Sequence, residues 1–152
     1  MKKTTLLHIL LILLTVLALT SVAADGGRKF TTTLTGEAEV NAEGEFNQGD
    51  LDGIGTATIT LNYGQGTVCF EISVSGVQLP ILAAHIHEAP ETEPGPVLIP
   101  LLTSPDADGF FSGCVSADRE EIKEIIQDPE EYYVNVHNME FPAGALRGQL
   151  SK

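Results

Sequence analysis

The sequence predicts an all-β fold, an antiparallel sandwich or barrel carrying one short helix. Three observations lead there. Eight short segments alternate apolar and polar residues with period two. Clusters of Gly, Pro, Asn and Asp separate them. A single stretch, Asp118 to Gln127, follows a helical period instead. With 152 residues, 43% of them hydrophobic, the chain suffices for one domain with a buried core.

A segment of a different kind precedes the strands. Lys2 and Lys3 form a basic start, Leu6 to Leu19 an apolar run, and Ser21-Val22-Ala23 a small-residue exit. This pattern predicts a secretory signal peptide over residues 1–23, with Val22-Ala23-Ala24 as the alternative cut. An uncleaved anchor competes, because about 20 apolar residues span a bilayer. The small-residue exit and the polar Asp25-Gly26-Gly27 favour cleavage. Residues 24–29 then read as a linker and 30–150 as the folded domain. Removing residues 1–23 leaves 129 residues and deepens the net charge from −13 to −15, since two lysines go with the leader. The expected address is secreted, periplasmic or otherwise extracytoplasmic, with no membrane attachment after cleavage.

The first strand covers Lys29 to Thr35, rich in β-branched residues and ended by Gly36. Ile54 to Leu61 alternates, Asn62 to Gly66 turns the chain, and Thr67 to Val74 sets Val68, Phe70, Ile72 and Val74 on one face. Leu82 to Glu88, Val97 to Leu102, Gly109 to Val115, Tyr132 to Asn138 and Ala145 to Leu150 complete the eight. In the helix, Asp118 is the cap and Glu121 the acid three residues on. Ile122, Ile125 and Ile126 form a stripe suited to cover one end of the sandwich, and Pro129 stops the helix. Residues 37–53 combine Glu37, Glu39, Glu43, Glu45, Asp50 and Asp52 with glycines, which predicts an exposed acidic loop, at most partly ordered.

Charge excludes some partners. Twenty-one acidic against eight basic residues leave no Lys/Arg cluster to neutralise phosphates, so no nucleic-acid partner is expected. The same deficit excludes polybasic docking on anionic lipid.

Four groups of residues are candidates for chemistry or structure. Cys69 and Cys114 lie in separate strands, and export permits a disulfide closing a loop of about 45 residues; two buried thiols are the other reading. Apart from His8 in the leader, the histidines are His85, His87 and His137. His85 and His87 stand two apart on one strand, so their rings share a face and offer two nitrogens to Zn or Cu. His137 ends another strand and offers a third; half-buried histidines bonded to backbone are the alternative. Asp50-Leu51-Asp52-Gly53 and Asp106-Ala107-Asp108-Gly109 resemble the middle of a calcium loop, yet Gln48, Ser104, Ile59 and Val115 stand where ligands belong, so these read as turns. Arg147, inside a strand, calls for a carboxylate, and Glu39 is the candidate for a structural ion pair. No Gly-x-Ser-x-Gly or Cys–His setting supports nucleophilic catalysis, so no enzyme is expected.

Four motifs in order resemble the CHRD (chordin-type) domain family. They are Phe30 to Gly36 with Glu39-Val40, Ala83-Ala84-His85-Ile86-His87, Tyr132 to His137, and Phe141 to Leu150. The resemblance implies an exported immunoglobulin-like β-sandwich or barrel of poorly defined function. It also implies that Glu39, His85, His87, His137 and Arg147 occupy motif positions. The chain departs from the family after Val40 and at Glu91-Thr92-Glu93-Pro94. Locally, His85-Ile86-His87-Glu88 is similar to the copper-binding strand of Cu/Zn superoxide dismutase, and His137 to that family's later copper histidine. Three histidines are too few for the dinuclear centre; a mononuclear site survives the count. Two functions are therefore expected. The favoured one is a non-catalytic extracellular module that binds a protein or matrix partner, keeps the histidines as structural residues and requires no cofactor. The alternative is a mononuclear Cu or Zn protein built on the three histidines, open to redox chemistry where the ion is copper.

Overall fold

The computed structural model describes residues 26–152. The signal segment expected over residues 1–23 lies outside the described residues. Period-two alternation becomes eight strands: β1 (Arg28–Thr35), β2 (Ile54–Asn62), β3 (Thr67–Ser75), β4 (Ala83–Glu88), β5 (Val97–Leu102), β6 (Phe110–Ser116), β7 (Tyr132–His137) and β8 (Leu146–Gln149). They form one antiparallel sheet in the order β5-β4-β7-β8-β1-β2-β3-β6, curled until β5 and β6 approach each other and nearly close a barrel. Strand β1 begins at Arg28, inside the stretch read as linker, because Arg28 and Lys29 pair with Leu61 and Thr60.

The inward face of each strand supplies the core. Leu34, Ile59, Ile72, Ile86, Val134 and Leu146 are all fully buried. Apart from Ile54 and Cys69, the outward residues of β2 and β3 are polar, and all are exposed or half-buried, as alternation predicts. Between β6 and β3, Cys69 stands directly opposite Cys114, and the two are bonded with an S–S distance of 2.05 Å.

Helix α1 (Arg119–Gln127) starts at Asp118, whose side chain accepts from the Glu120 amide at 2.8 Å. Ile122 and Ile125 are buried against the barrel and Ile126 packs beside them, so the stripe covers one end of the barrel. A 3-10 turn over Pro129–Glu131 leads into β7.

One strand breaks the alternation. Along β7 every residue but His137 is buried, including Tyr133 and Asn135 on the face turned away from the core. Loops cover that face. The acidic segment 37–53, expected to be exposed and at most partly ordered, is instead folded on itself. Asn47 donates its amide to Glu37, Gln48 to Glu39 and Gly49 to Gly36, while Asp50 donates to Ala145 at 2.8 Å. Most of its carboxylates do face water, but Glu39 and Val40 are buried. Satisfying the backbone within the loop is what allows those two side chains to turn inward. The Asp-Gly turns are Asx turns: Asp106 Oδ1 accepts from the amides of Asp108 and Gly109, and Asp50 Oδ1 accepts from Asp52.

Candidate metal centre

Register brings the histidines together. β4 and β7 are antiparallel neighbours, with Ala83 opposite His137, His85 opposite Asn135 and His87 opposite Tyr133. The three rings therefore lie on the outer face of adjacent strands. Ring centroids are 4.9 Å apart for His85–His137, 5.5 Å for His85–His87 and 6.2 Å for His87–His137. Each offers one nitrogen, and the three nitrogens lie within 4.8 Å of one another.

Backbone carbonyls orient two of the rings. His87 Nδ1 is 2.9 Å from Gly95 O, and His137 Nδ1 is 3.1 Å from Pro142 O. A carbonyl only accepts, so each Nδ1 carries its proton and each Nε2 of the neutral ring presents a lone pair. That second contact is the arrangement by which ligating histidines are held. His87 Nε2 is buried without a hydrogen-bond partner. His137 Nε2 is 3.1 Å from His85 Nδ1, which must be the donor. Ligation through His85 Nδ1 thus requires that proton to move to the ring's other nitrogen.

Burial keeps all three rings neutral. It lowers the His137 pKa to about 4, with the neighbouring His85 adding to the shift. His85 is lowered by burial and by His87. His87 is lowered by burial, against the opposing effect of its bond to Gly95. At neutral pH no ring carries a second proton, and the His137 lone pair is engaged only by the His85 hydrogen bond. The 3.1 Å separation of the His85 and His137 nitrogens suits two ligands of one ion at about 2.0–2.1 Å each. The 4.8 Å limit exceeds the roughly 4.2 Å span that two such bonds permit, so the array must contract slightly around an ion.

Residues 30–150 match the family model described as the CHRD domain. The chain belongs to the CHRD domain family. No curated protein and no solved structure matches it. A CHRD domain is of extracellular type, which agrees with the disulfide. No helix among the described residues is long and apolar enough to cross a membrane.

The expected direct pair between Glu39 and Arg147 does not form. Asn135, opposite Arg147 in the register, takes the carboxylate: its Nδ2 donates a short hydrogen bond to Glu39 Oε1. Arg147 turns its donors to the backbone, reaching Glu93 O at 2.9 Å and Pro90 O at 2.8 Å, and to Gln149 Oε1 at 3.1 Å. Its charge still acts on Glu39, but burial prevails and raises the Glu39 pKa to about 7, against Arg147 and the Asn135 hydrogen bond. Asn135 Oδ1 is buried without a partner. Gly144 permits the contact between Asn135 and Glu39, because a Cβ there would collide with both.

Three residues around the histidines escaped the sequence reading: Tyr133, Gly95 and Gln149. The Tyr133 ring stacks on His87 at 4.8 Å and 9°, and its hydroxyl accepts from the Gly95 amide at 3.1 Å. Gln149 donates to Ala89 O and Glu130 O. The available signal was the alternation Tyr133, Asn135, His137, which puts large polar groups on the face opposite Val134 and Val136.

Proposed function

We propose that this CHRD protein is an exported, non-catalytic binding domain whose ligand is a single Cu or Zn ion held by His85, His87 and His137. One observation carries the reading: the buried Nε2 of His87, unpartnered, beside two neutral imidazoles whose nitrogens lie within 4.8 Å. A buried lone pair without a donor is costly unless something occupies it. The donor set, three neutral nitrogens, suits Zn or Cu more than a hard, oxygen-seeking ion. Each ring also carries a role an ion site needs, since two are fixed by carbonyls and none is protonated near pH 7.

A second reading treats the histidines as structural and assigns the domain an extracellular protein or matrix partner. It is favoured by the His85–His137 hydrogen bond, which already satisfies two ring nitrogens. Metal titration of the mature, disulfide-intact protein separates the two. One Cu or Zn per chain with sub-micromolar affinity, lost in His87→Ala, is the expected result. Absence of binding at micromolar metal overturns it and leaves the structural reading.

A further inference from the structure

We propose that Arg147 is a positioning residue of the metal centre, holding His87 through the loop of residues 89–96. The inference rests on the three-histidine reading of the site. Arg147 is 1% exposed and donates no hydrogen bond to a histidine among the described residues, yet two routes connect it to His87.

The first route is the loop. Arg147 clamps it by donating to the carbonyls of Pro90 and Glu93, near its start and at its middle. Two residues beyond Glu93, Gly95 offers the carbonyl that accepts the hydrogen bond from His87 Nδ1–H. Gly95 has no room for a side chain, since a Cβ there would run into the Glu88 carbonyl. Its peptide is thus pressed against the strand that carries His87. The second route is a stack. The Arg147 guanidinium lies 3.5 Å from the Tyr133 ring centroid, and the His87 ring is stacked parallel to that same Tyr133 ring. The Tyr133 hydroxyl then accepts from the Gly95 amide, so the loop and the stack meet at one residue, Gly95.

This arrangement decides which nitrogen of His87 is free. With the Gly95 carbonyl in place, the proton belongs on Nδ1 and the lone pair on Nε2. Release of the loop removes that constraint and lets the ring turn or exchange tautomers. An arginine suits the task because its planar fork bonds two carbonyls while its face stacks on an aromatic ring. A lysine offers one point charge and cannot do both.

Arg147→Gln and Arg147→Lys test the proposal, with wild type alongside. Nitrogen-15 spectra of the imidazoles, recorded without metal, report the His87 tautomer. Competition against a chromophoric chelator reports affinity for Zn²⁺ and, without oxygen, for Cu⁺. The expected wild-type result is a single His87 tautomer protonated at Nδ1. Both variants should show mixed tautomers and about 10- to 100-fold weaker binding, with no rescue by lysine. A pure Nδ1 tautomer and unchanged affinity in folded variants overturn the proposal. If wild type binds neither ion, the functional reading fails while the tautomer spectra still decide the role of Arg147. If Arg147→Gln does not fold, Tyr133→Phe takes its place. Loss of one hydrogen-bond acceptor for Gly95 should then weaken binding about five-fold and speed exchange of the His87 Nδ1 proton. No change in either sinks the idea.

Discussion

Replacing Glu39 by Gln isolates the effect of one buried acid on the pH dependence of folding. Glu39 is 5% exposed, and burial raises its pKa from 4.5 to about 7. The native state therefore holds its proton more tightly than the unfolded chain. Between those pH values ionisation favours unfolding, so this residue's contribution is fully present below about pH 4.5 and is lost as pH rises through 7. Each pKa unit corresponds to about 1.4 kcal/mol, which makes the whole change about 3 kcal/mol. Glutamine cannot ionise, and its amide can face Asn135 much as the protonated acid does. Urea unfolding of both proteins, disulfide intact, from pH 4.5 to 8 measures the difference in stability. The variant should gain on wild type by about 3 kcal/mol across that range, most of it between pH 5 and 7. The histidines, lowered in pKa, act with the opposite sign, but they are common to both proteins and drop out of the difference. A constant difference, or one that moves in favour of wild type as pH rises, refutes the reasoning.

Four further outcomes follow from the same structure. Cys69→Ala with Cys114→Ala opens a loop spanning a sequence separation of 45 and should cost about 4 kcal/mol in denaturant unfolding, matched by reduction of the wild-type protein. Ile86→Ala removes a fully buried side chain from the strand that carries two histidines and should lower stability by about 2–5 kcal/mol, whereas Asp118→Ala removes only a helix cap and should cost about 1 kcal/mol. Zn²⁺ at 100 times its dissociation constant should stabilise wild type by about 2.7 kcal/mol and leave His87→Ala unmoved, as thermal unfolding with and without chelator would show.

The strands were legible because each records its environment in its own residues. Val68, Phe70, Ile72 and Val74 alternate with Thr67, Cys69, Glu71 and Ser73, and β3 has one face in the core and the other toward solvent. Helix α1 was legible for a similar local reason: the cap at Asp118 and the Ile122–Ile125 stripe lie within two turns. The two cysteines and three histidines were readable as candidates, since residue type and strand face are local facts. The burial of the outer face of β7 was not. Tyr133 and Asn135 are covered by loops far away in sequence, and the acidity of residues 37–53 pointed those loops toward water.

Sequence by itself determined that this chain folds as an antiparallel β barrel or sandwich, where its strands run, and which side chains could ligate an ion. Those properties depend on near neighbours and on period. Tertiary structure decided who meets whom. Strand order sets β4 beside β7 and closes the histidine trio, while register puts Asn135 opposite Arg147 and gives Asn135, in place of Arg147, the Glu39 carboxylate. Arg147 is then left to clamp a loop and stack on Tyr133. Pairing across strands depends on the register of the whole sheet, and a shift of one residue would turn every one of these side chains to the other face.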